Sequence, residues 1–518
     1  MSESGGANHD RANIVTETSG VDRLAGVPAV FGAVAFVVGW AIVFRWVHVT
    51  DVLAGVTYAT LLSAGHVLAA VVLCAVGVLS TTGVVDTDPD DSTGLFTALA
   101  FGAIAFVGVG LTASQTFDTG AGVWLPASVV ALVLVTVAVL SVPEDLGVTL
   151  PVAAFELVVG LAVLTDVIGP SWTWSPHGFS ASFVGPIAIA AFAMVGSLLC
   201  VWAGTNASQG FGSRGRELGA YSLISTYAAA LLAILVLLIV FVVQNGIDQV
   251  LKGAQLWPFK LPFVLNGYGL QYDVNGIFPA IVGTVWLVVG AVVFAVPLAV
   301  GAAVYLTEYA DQGRFTRIVE TATNGLWSTP SIVYGLFAFA FLLPRIQNNV
   351  TLLTGQLVLG FMLLPLVLIT SREALQNVPD EYRDASAALG VTQWQTIRSV
   401  VLPAAIPGVL TGVILGVGRI AGETAPILLV LVREPFSASA PSVIGSFHFT
   451  ASAPFVTNEA LLSPATALPY QLFAVITAGV GASQEFGWGT ALVLLCVVMF
   501  FYAIGITTRI YFRRKLRQ

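Results

Sequence analysis

Residues 372–407, REALQNVPDEYRDASAALGVTQWQTIRSVVLPAAIP, form the polar stretch that decides the fold of this 518-residue chain. Apolar residues recur at spacings of three and four from Leu375 to Leu389, which predicts an amphipathic helix. Pro379 and the two acidic residues after it suit a first helical turn. Gly390 suits a left-handed cap, so we expect a short helix that ends in a glycine corner.

A second helix is predicted to begin directly after this corner. Thr392 to Gln395 has the sequence of a capping box. Pro403 and Pro407 then predict the return of the chain into apolar surroundings. Taken alone, two short helices joined by a corner are as typical of an ordinary interfacial segment of a membrane protein as of a loop with a specific function.

The sequence on both sides of this stretch is far more apolar than that of a soluble protein. The chain is 57% hydrophobic and 9% charged, with a mean hydropathy of +0.91, whereas soluble domains are about 25% charged. A helix that crosses a bilayer needs about 20 apolar residues. We therefore expect an all-α polytopic membrane protein. The predicted spans are 27–47, 52–80, 94–113, 123–142, 148–168, 183–203, 221–243, 277–306, 325–343, 353–370, 407–432 and 487–510.

Charge places the polar stretch on the cytoplasmic side. With both termini cytoplasmic, most of the 20 basic residues fall inside, including the cluster Arg513–Arg517. The protein is then a multi-pass protein of the plasma membrane, as expected for a prokaryote. The net charge is −8 and lysine is scarce, which is typical of a halophile with a salt-rich cytoplasm.

A polar, glycine-rich and basic segment divides the predicted spans into two sets of six. We expect a cytoplasmic tail at 1–26, an N-terminal membrane domain at 27–205, a cytoplasmic linker at 206–219 and a second membrane domain at 220–518. The residues of the six spans in the N-terminal membrane domain indicate no particular function.

The polar stretch resembles the EAA loop of ABC import permeases. That pattern is EAA, three residues, G, nine residues and I-x-LP, and this chain has Asp for Glu, Ser for Ala and Val for Ile. The resemblance implies a loop that docks into a cleft on an ATPase subunit and transmits its closure. The residues that it identifies are Asp384, Ala385, Ser386, Gly390, Val400, Leu402 and Pro403.

Further motifs between Tyr221 and the C-terminus resemble the PstA family of phosphate permeases. They are Gly276–Thr284, Pro297–Val300 with Tyr305–Tyr309, Pro330–Leu336 and Gly422–Pro426. The resemblance implies a type I ABC importer permease with a MetI-like six-helix core. About six additional N-terminal transmembrane helices precede that core.

The same resemblance implies a transport subunit without catalytic residues or a cofactor of its own. The implied partners are a PstC-like second permease, PstB-like ATPase subunits that bind ATP and Mg, and an extracytoplasmic PstS-like phosphate-binding protein. Inorganic phosphate is the implied substrate, and no nucleic acid is involved. Independently, the sequence contains no Gly-x-x-x-x-Gly-Lys-Ser/Thr loop that would cradle ATP phosphates.

Arg419 and Glu423 are ionisable residues inside a predicted span, which makes them candidates for an anion pathway. Each costs about 2.5–3.5 kcal/mol at the centre of a membrane helix, so we expect both to face protein or water. At a spacing of four they can pair on one helical face. A structural ion pair that locks two helices is the alternative.

Weaker anion-pathway candidates open another span at Ser328, Thr329 and Ser331. Free N–H groups at a helix start can receive an anion, although ordinary capping by Ser328 or Thr329 explains the same sequence. The five histidines and three cysteines show no metal spacing.

Three other functions are alternatives. Related permeases carry other oxyanions, and an ATPase-independent secondary phosphate transporter would explain the spans and Arg419 but not residues 384–403. An intramembrane enzyme would need a nucleophile with a base, or a metal site, on facing helices. The sequence contains no recognisable constellation of that kind.

Overall fold

The computed structural model describes residues 20–515 except 86, 179, 312, 347–348, 432–433, 453–454, 478 and 480–482. Most of the predicted tail 1–26 and the last two residues of the Arg513–Arg517 cluster therefore lie outside the described residues. Within the described residues, 11 helices are long and apolar enough to cross a membrane. This confirms the prediction of an all-α polytopic membrane protein.

The chain divides into two compact units, an N-terminal unit that ends at Val236 and a C-terminal unit that begins at Leu237. Two short antiparallel hairpins, Val52–Leu53 with Val56–Thr57 and Thr173–Trp174 with Phe183–Val184, lie in the N-terminal unit. The first hairpin occupies the start of the predicted span 52–80, so that span begins only at Tyr58. The helices of the N-terminal unit are α1 (Gly20–Val43), α2 (Tyr58–Thr81), α3 (Leu95–Leu111), α4 (Ala121–Leu140), α5 (Glu144–Leu164), α6 (Gly185–Ser208) and the first part of α7 (Gly212–Val250).

The unit boundary falls inside α7, and the predicted linker 206–219 is not where the units separate. The start of α7 is held within the N-terminal unit by Arg216, whose Nη1 lies 2.6 Å from Asp90 Oδ2 and 2.9 Å from Glu144 Oε2. The backbone N–H of Gly212 also donates to Glu144 Oε2, at 3.1 Å. Basic and glycine residues are typical of loops and therefore predict a linker, whereas here Arg216 forms ion pairs and Gly212 donates a backbone hydrogen bond within the unit.

The C-terminal unit contains the rest of the helices. They are the second part of α7, α8 (Pro262–Leu265), α9 (Phe278–Val304), α10 (Arg314–Ser328), α11 (Ser331–Phe337), α12 (Leu352–Gln376), α13 (Asp380–Ala388), α14 (Gln393–Thr396), α15 (Leu402–Ala421), α16 (Ala425–Val430), α17 (Leu468–Ile476) and α18 (Gln484–Lys515). A third hairpin pairs Phe447–Phe449 with Val456–Asn458.

A methyl-lined face of α9 lies at the centre of the C-terminal unit. Ala291, Ala295, Ala299 and Ala303 follow one another at every fourth residue, and all four are fully buried. Side chains four apart share one face of a helix, so they form a continuous stripe of small side chains. Residues Leu359, Leu363 and Val367 of α12 belong to the same buried core.

The predicted span 325–343 is wrong as a single helix. α10 and the helical segment Ser331–Arg345 form a pair that is bent by 103°. Pro330 lies at the bend, where it lacks an N–H donor and keeps Thr329 in an extended conformation. The strongly amphipathic sequence of α10 is typical of a helix with one polar face.

The region after α15 also differs from the prediction. The predicted span 407–432 ends at Ala421, and α16 follows after a non-helical break at Gly422–Thr424. The nine-residue helix α17 was missed, because it is too short to give a membrane-span signal. It is docked on α9, where Thr284 Oγ1 accepts a hydrogen bond of 2.9 Å from the N–H of Leu468.

We expect Gly283→Ala to destabilise the chain by about 1–3 kcal/mol. A Cβ at Gly283 would lie 2.0 Å from the carbonyl oxygen of Thr466, so the backbone before α17 would have to move. Thermal unfolding of the purified chain in detergent would measure the loss. Gly301→Ala on the same helix is the matched control, because a Cβ there meets nothing within 4 Å. Equal midpoints for the two variants would contradict this account of the contact.

Candidate functional site: a helical loop and an intramembrane arginine

The polar stretch folds as its local sequence predicts. α13 begins behind Pro379, and Gly390 adopts a φ of 73° beyond its end. The N–H of Gln395 donates to Thr392 Oγ1 at 3.4 Å, and the N–H of Thr392 donates to Gln395 Oε1 at 2.9 Å. The predicted helix, left-handed corner and capping box are therefore confirmed.

The return of the chain differs from the prediction. Pro403 and Pro407 lie inside one continuous helical segment, Gln393–Ala421, and do not precede it. A π-helical turn at Ile397–Val401 ends two residues before Pro403. The widened turn accommodates the proline ring, which would otherwise meet the carbonyl of the residue four positions earlier.

Only the first half of the apolar stripe is buried. Leu375 and Val378 lie in the core of the C-terminal unit, whereas Leu389 is 82% exposed. Four large apolar side chains are exposed on this loop, and we call them the loop surface: Tyr382, Leu389, Val391 and Trp394. An exposed cluster of this kind marks an interaction site more often than it serves the stability of its own chain.

The residues identified by the EAA resemblance are distributed over both arms of the loop. Asp384 and Ala385 are exposed on α13, and the buried Ser386 donates its hydroxyl to the carbonyl of Tyr382, at 2.9 Å. The residues of the second arm are Val400, Leu402 and Pro403, which are all partly buried. The structure thus places them on two helices joined by Gly390.

Glu308 fixes the loop to the end of α9, an anchor that sequence reasoning missed. Its carboxylate is largely buried and accepts two hydrogen bonds from Arg383, to Nη2 at 2.8 Å and to Nε at 3.4 Å. Arg383 also donates to the carbonyl oxygens of Val378 and Leu375, at 2.8 and 3.1 Å. The hydrogen bond to Glu308 raises the pKa of the Arg383 guanidinium above its ordinary value.

Glu308 holds the second arm as well. The side-chain amide of Gln393 donates to the backbone carbonyl of Glu308 at 2.6 Å. Glu308 lies in a π-helical turn, Tyr305–Tyr309, that continues α9. Both arms of the loop are therefore tied to one residue at the end of a core helix.

Arg419 and Glu423 are close together, as predicted from their spacing. Arg419 Nε lies 3.7 Å from Glu423 Oε1, and the two side chains are 38% and 16% exposed. Arg419 is in the last turn of α15, whereas Glu423 lies in the break that follows. The separation is longer than a strong hydrogen bond, so the arginine keeps donors available.

Two aromatic residues next to Arg419 were also missed. Its guanidinium lies 4.5 Å from the centre of the Trp327 ring, in a cation–π contact. Trp327 lies in the last turn of α10, next to the 103° bend. Tyr334 of α11 is close enough to Arg419 to interact with its charge, and its hydroxyl donates to the carbonyl of Leu326 at 2.8 Å. No local sequence pattern connects these two residues with Arg419, because only the bend at Pro330 brings them close to it.

The weaker candidates lie at this bend, and the capping expectation for two of them is wrong. Ser328 and Thr329 donate their hydroxyls to the carbonyl of Gly325, at 3.0 and 2.8 Å. Both hydroxyls therefore satisfy a backbone carbonyl in the last turn of α10. They do not cap α11, whose N-cap Pro330 makes no side-chain hydrogen bond. Ser331 is partly buried in the first turn of α11.

One helical segment joins the loop to the arginine. Pro403 and Arg419 are 16 residues apart in Gln393–Ala421, which corresponds to about 24 Å. Among the described residues, no group of three His, Cys, Asp or Glu side chains is placed to hold a metal ion.

The C-terminal part of the chain matches a known protein family. Residues 295–505 match the model of the binding-protein-dependent transport system inner membrane component. This range contains the loop, Glu308 and Arg419.

Curated relatives match over a similar length. The chain is 34% identical to the phosphate transport system permease protein PstA 1 of Mycobacterium tuberculosis (strain CDC 1551 / Oshkosh) over 234 residues, which are 45% of this chain and 70% of that protein. It is 32% identical to PstA of Haemophilus influenzae over 46% of this chain and 77% of that protein. It is 30% identical to the probable ABC transporter permease protein YqgI of Bacillus subtilis over 53% and 88%.

Among solved structures, an inward-facing MetNI methionine ABC transporter matches with a TM-score of 0.36 and 16% identity. The match covers 46% of this chain and 97% of that chain.

We expect Glu308→Gln to loosen the loop. The amide cannot replace a charged acceptor of two guanidinium hydrogen bonds, and hydrogen bonds to charged groups contribute about 1.5–3 kcal/mol. Hydrogen exchange of the backbone amides between Asp380 and Gln395 should become faster while α9 stays protected. Asp380→Asn is the control, because Asp380 is the exposed second partner of Arg383. Equal exchange in both variants would contradict the anchoring role.

Proposed function

Because the chain belongs to the PstA family of binding-protein-dependent transport permeases, we propose that it forms part of the phosphate path of an ATP-driven importer. The observation that carries the proposal is the helical loop, which is exposed at its tip and fixed to a core helix by Glu308. The sequence itself contains no glycine-rich loop that would cradle ATP phosphates. Energy therefore enters from a separate ATPase that binds ATP and Mg.

The proposed complex contains further subunits. A PstC-like permease completes the path, PstB-like ATPases dock on the loop, and a PstS-like phosphate-binding protein delivers the anion from outside. The protein lies in the plasma membrane with both termini cytoplasmic. This orientation puts the loop on the ATPase side and agrees with the basic cluster at the C-terminus.

Coupling would work through the loop surface and Glu308. Tyr382, Leu389 and Trp394 offer apolar side chains to a cleft on the ATPase. Closure of that cleft moves α13 and α14 together, because Gly390 and the capping box fix their mutual angle. The movement reaches α9 through Glu308 and reaches Arg419 along Gln393–Ala421. Packed helices transmit such movements as rigid bodies.

Phosphate would pass Arg419. The guanidinium presents several donors in one plane, which matches two oxygens of a phosphate. Glu423 and the Trp327 ring hold the side chain in place when no anion is bound. Phosphate then displaces Glu423, and the return of the carboxylate favours release. Ser328, Thr329 and Ser331 lie at the neighbouring bend, where hydroxyl groups can turn toward the anion.

Replacement of Gly390 tests coupling. A φ of 73° is strained for a β-branched residue by about 1–3 kcal/mol, so Gly390→Val should change the angle of the corner. We expect normal membrane abundance, with phosphate uptake and substrate-stimulated ATP hydrolysis of the assembled complex reduced together. Gly390→Asn is the matched control, because asparagine tolerates this conformation and nothing lies within 4 Å of the new Cβ. Normal uptake by the valine variant would refute the coupling role.

Replacement of the charged pair tests the anion pathway. Arg419→Gln should lower phosphate uptake by about 10- to 100-fold, the equivalent of a lost charge-assisted contact of about 1.5–3 kcal/mol. Glu423→Gln should bind phosphate normally and release it slowly. Uptake into liposomes and membrane abundance would be measured for each.

A purely structural ion pair predicts different results. Loss of either partner would then lower membrane abundance equally. The double variant Arg419→Leu/Glu423→Leu would restore both abundance and uptake. Restored uptake would remove Arg419 from the pathway.

A further inference from the structure

The N-terminal unit contains two ionisable side chains that face each other deep between its helices. They are His66 of α2 and Glu156 of α5, which are 1% and 0% exposed. His66 Nδ1 and Glu156 Oε2 share a short hydrogen bond. None of the transport residues above is involved.

Both residues lie far from the ends of their helices. Each is eight residues from the nearer helix end, Tyr58 for α2 and Leu164 for α5, which corresponds to about 12 Å. A hydrocarbon core is about 30 Å thick, so 12 Å from an end is close to its middle. Ionisable groups at this depth are costly and mark functional sites by default.

The surroundings are fitted closely around the pair. The edge of the Phe31 ring of α1 meets the His66 ring, with 5.1 Å between the ring centres. On α6, a Cβ at Gly196 would lie 2.6 Å from Glu156 Oε1 and 3.1 Å from His66 Cε1. Only a residue without a side chain fits there, so helices α1, α2, α5 and α6 all contribute to the site.

One polar atom of each side chain has no hydrogen-bond partner in the described part of the protein. These atoms are His66 Nε2 and Glu156 Oε1, and both are buried. A buried polar atom without a partner costs about 1–3 kcal/mol. Such a cost is avoidable in a purely structural contact, because an apolar pair would join the same helices.

The described neighbouring helices supply no positive charge. Side chains from Leu24 to Val43 on α1 and those of α3 include no titratable group. α6 contributes only the neutral thiol of Cys200, which lies within hydrogen-bonding reach of the Glu156 carboxylate. On α5 the other acids are Glu144 and Asp145, at the opposite end of the helix. On α2, Cys74 is exposed and Tyr58 lies at the helix end.

The proton count of the pair therefore decides its net charge. With one proton on the histidine ring and none on the carboxylate, the pair has a charge of −1 without a nearby cation. A second proton, on the carboxylate or on the free ring nitrogen, makes it neutral. A buried net charge is costly in a low-dielectric interior.

We propose that His66 and Glu156 form a proton-binding site in the N-terminal unit. The ligand is a single proton, because the close fit at Gly196 and Phe31 leaves the pair in direct contact with its neighbours. Binding neutralises the pair, and release leaves a buried charge between α2 and α5. The unit thereby responds to pH through the packing of four helices, and this role is separate from the proposed phosphate path.

Infrared difference spectra of the full chain test the proposal directly. Spectra would be recorded in detergent between about pH 5 and pH 8, the range in which histidine commonly changes its charge. We expect a carbonyl band of a protonated carboxylic acid that decreases as the pH rises and that shifts when the chain contains ¹³C-labelled glutamate. If neither a carboxylic acid band nor the ring bands of imidazolium change with pH in this range, the proposal is overturned, since the pair would then be a fixed contact.

Variants assign the band to this pair. Glu156→Gln should remove it, whereas His177→Gln, at an exposed histidine, should leave it unchanged. If Glu156→Gln does not insert into the membrane, His66→Gln provides the second test. It should shift the midpoint of the band, because the imidazole is the direct partner of the carboxyl group. An unchanged midpoint would assign the band to another glutamate and overturn the proposal.

Discussion

Hydrocarbon offers no hydrogen-bond partner to a peptide group, and the architecture of this protein follows from that constraint. Each segment that crosses the membrane must satisfy its own backbone, so the crossing segments are helices. Non-helical backbone is tolerated only where protein surrounds it or water reaches it. The breaks at Thr329–Pro330 and Gly422–Thr424 therefore mark places where the C-terminal unit differs from a simple bundle.

The charged residues of the loop anchor and of the proposed anion path lie near these breaks and helix ends. Glu308 follows α9, Arg383 belongs to the loop, and Arg419 ends α15 beside the break. A helix end provides polar backbone groups and access to water, which lower the cost of a nearby charge. His66 and Glu156 differ from these residues, since they lie in the middle of regular helices.

Local chemistry explains which features were predictable. The helix after Pro379, the corner at Gly390 and the capping box at Thr392 each depend on residues within one or two turns, so sequence was sufficient. The pairing of Arg419 with Glu423 was predictable for the same reason. Arg383 and Glu308 are 75 residues apart, and the Trp327 ring reaches Arg419 only because α10 bends away at Pro330. Such contacts depend on tertiary packing, which no local pattern encodes.

The methyl-lined face of α9 has a mechanical consequence. An alanine side chain has no rotamers to change, so a neighbour can slide along Ala291, Ala295, Ala299 and Ala303 without reordering side chains on the α9 side. Large interlocking side chains would resist the same displacement. Within the C-terminal unit, α9 is therefore suited to shear along its axis, and little energy would be stored in the contact as it slides.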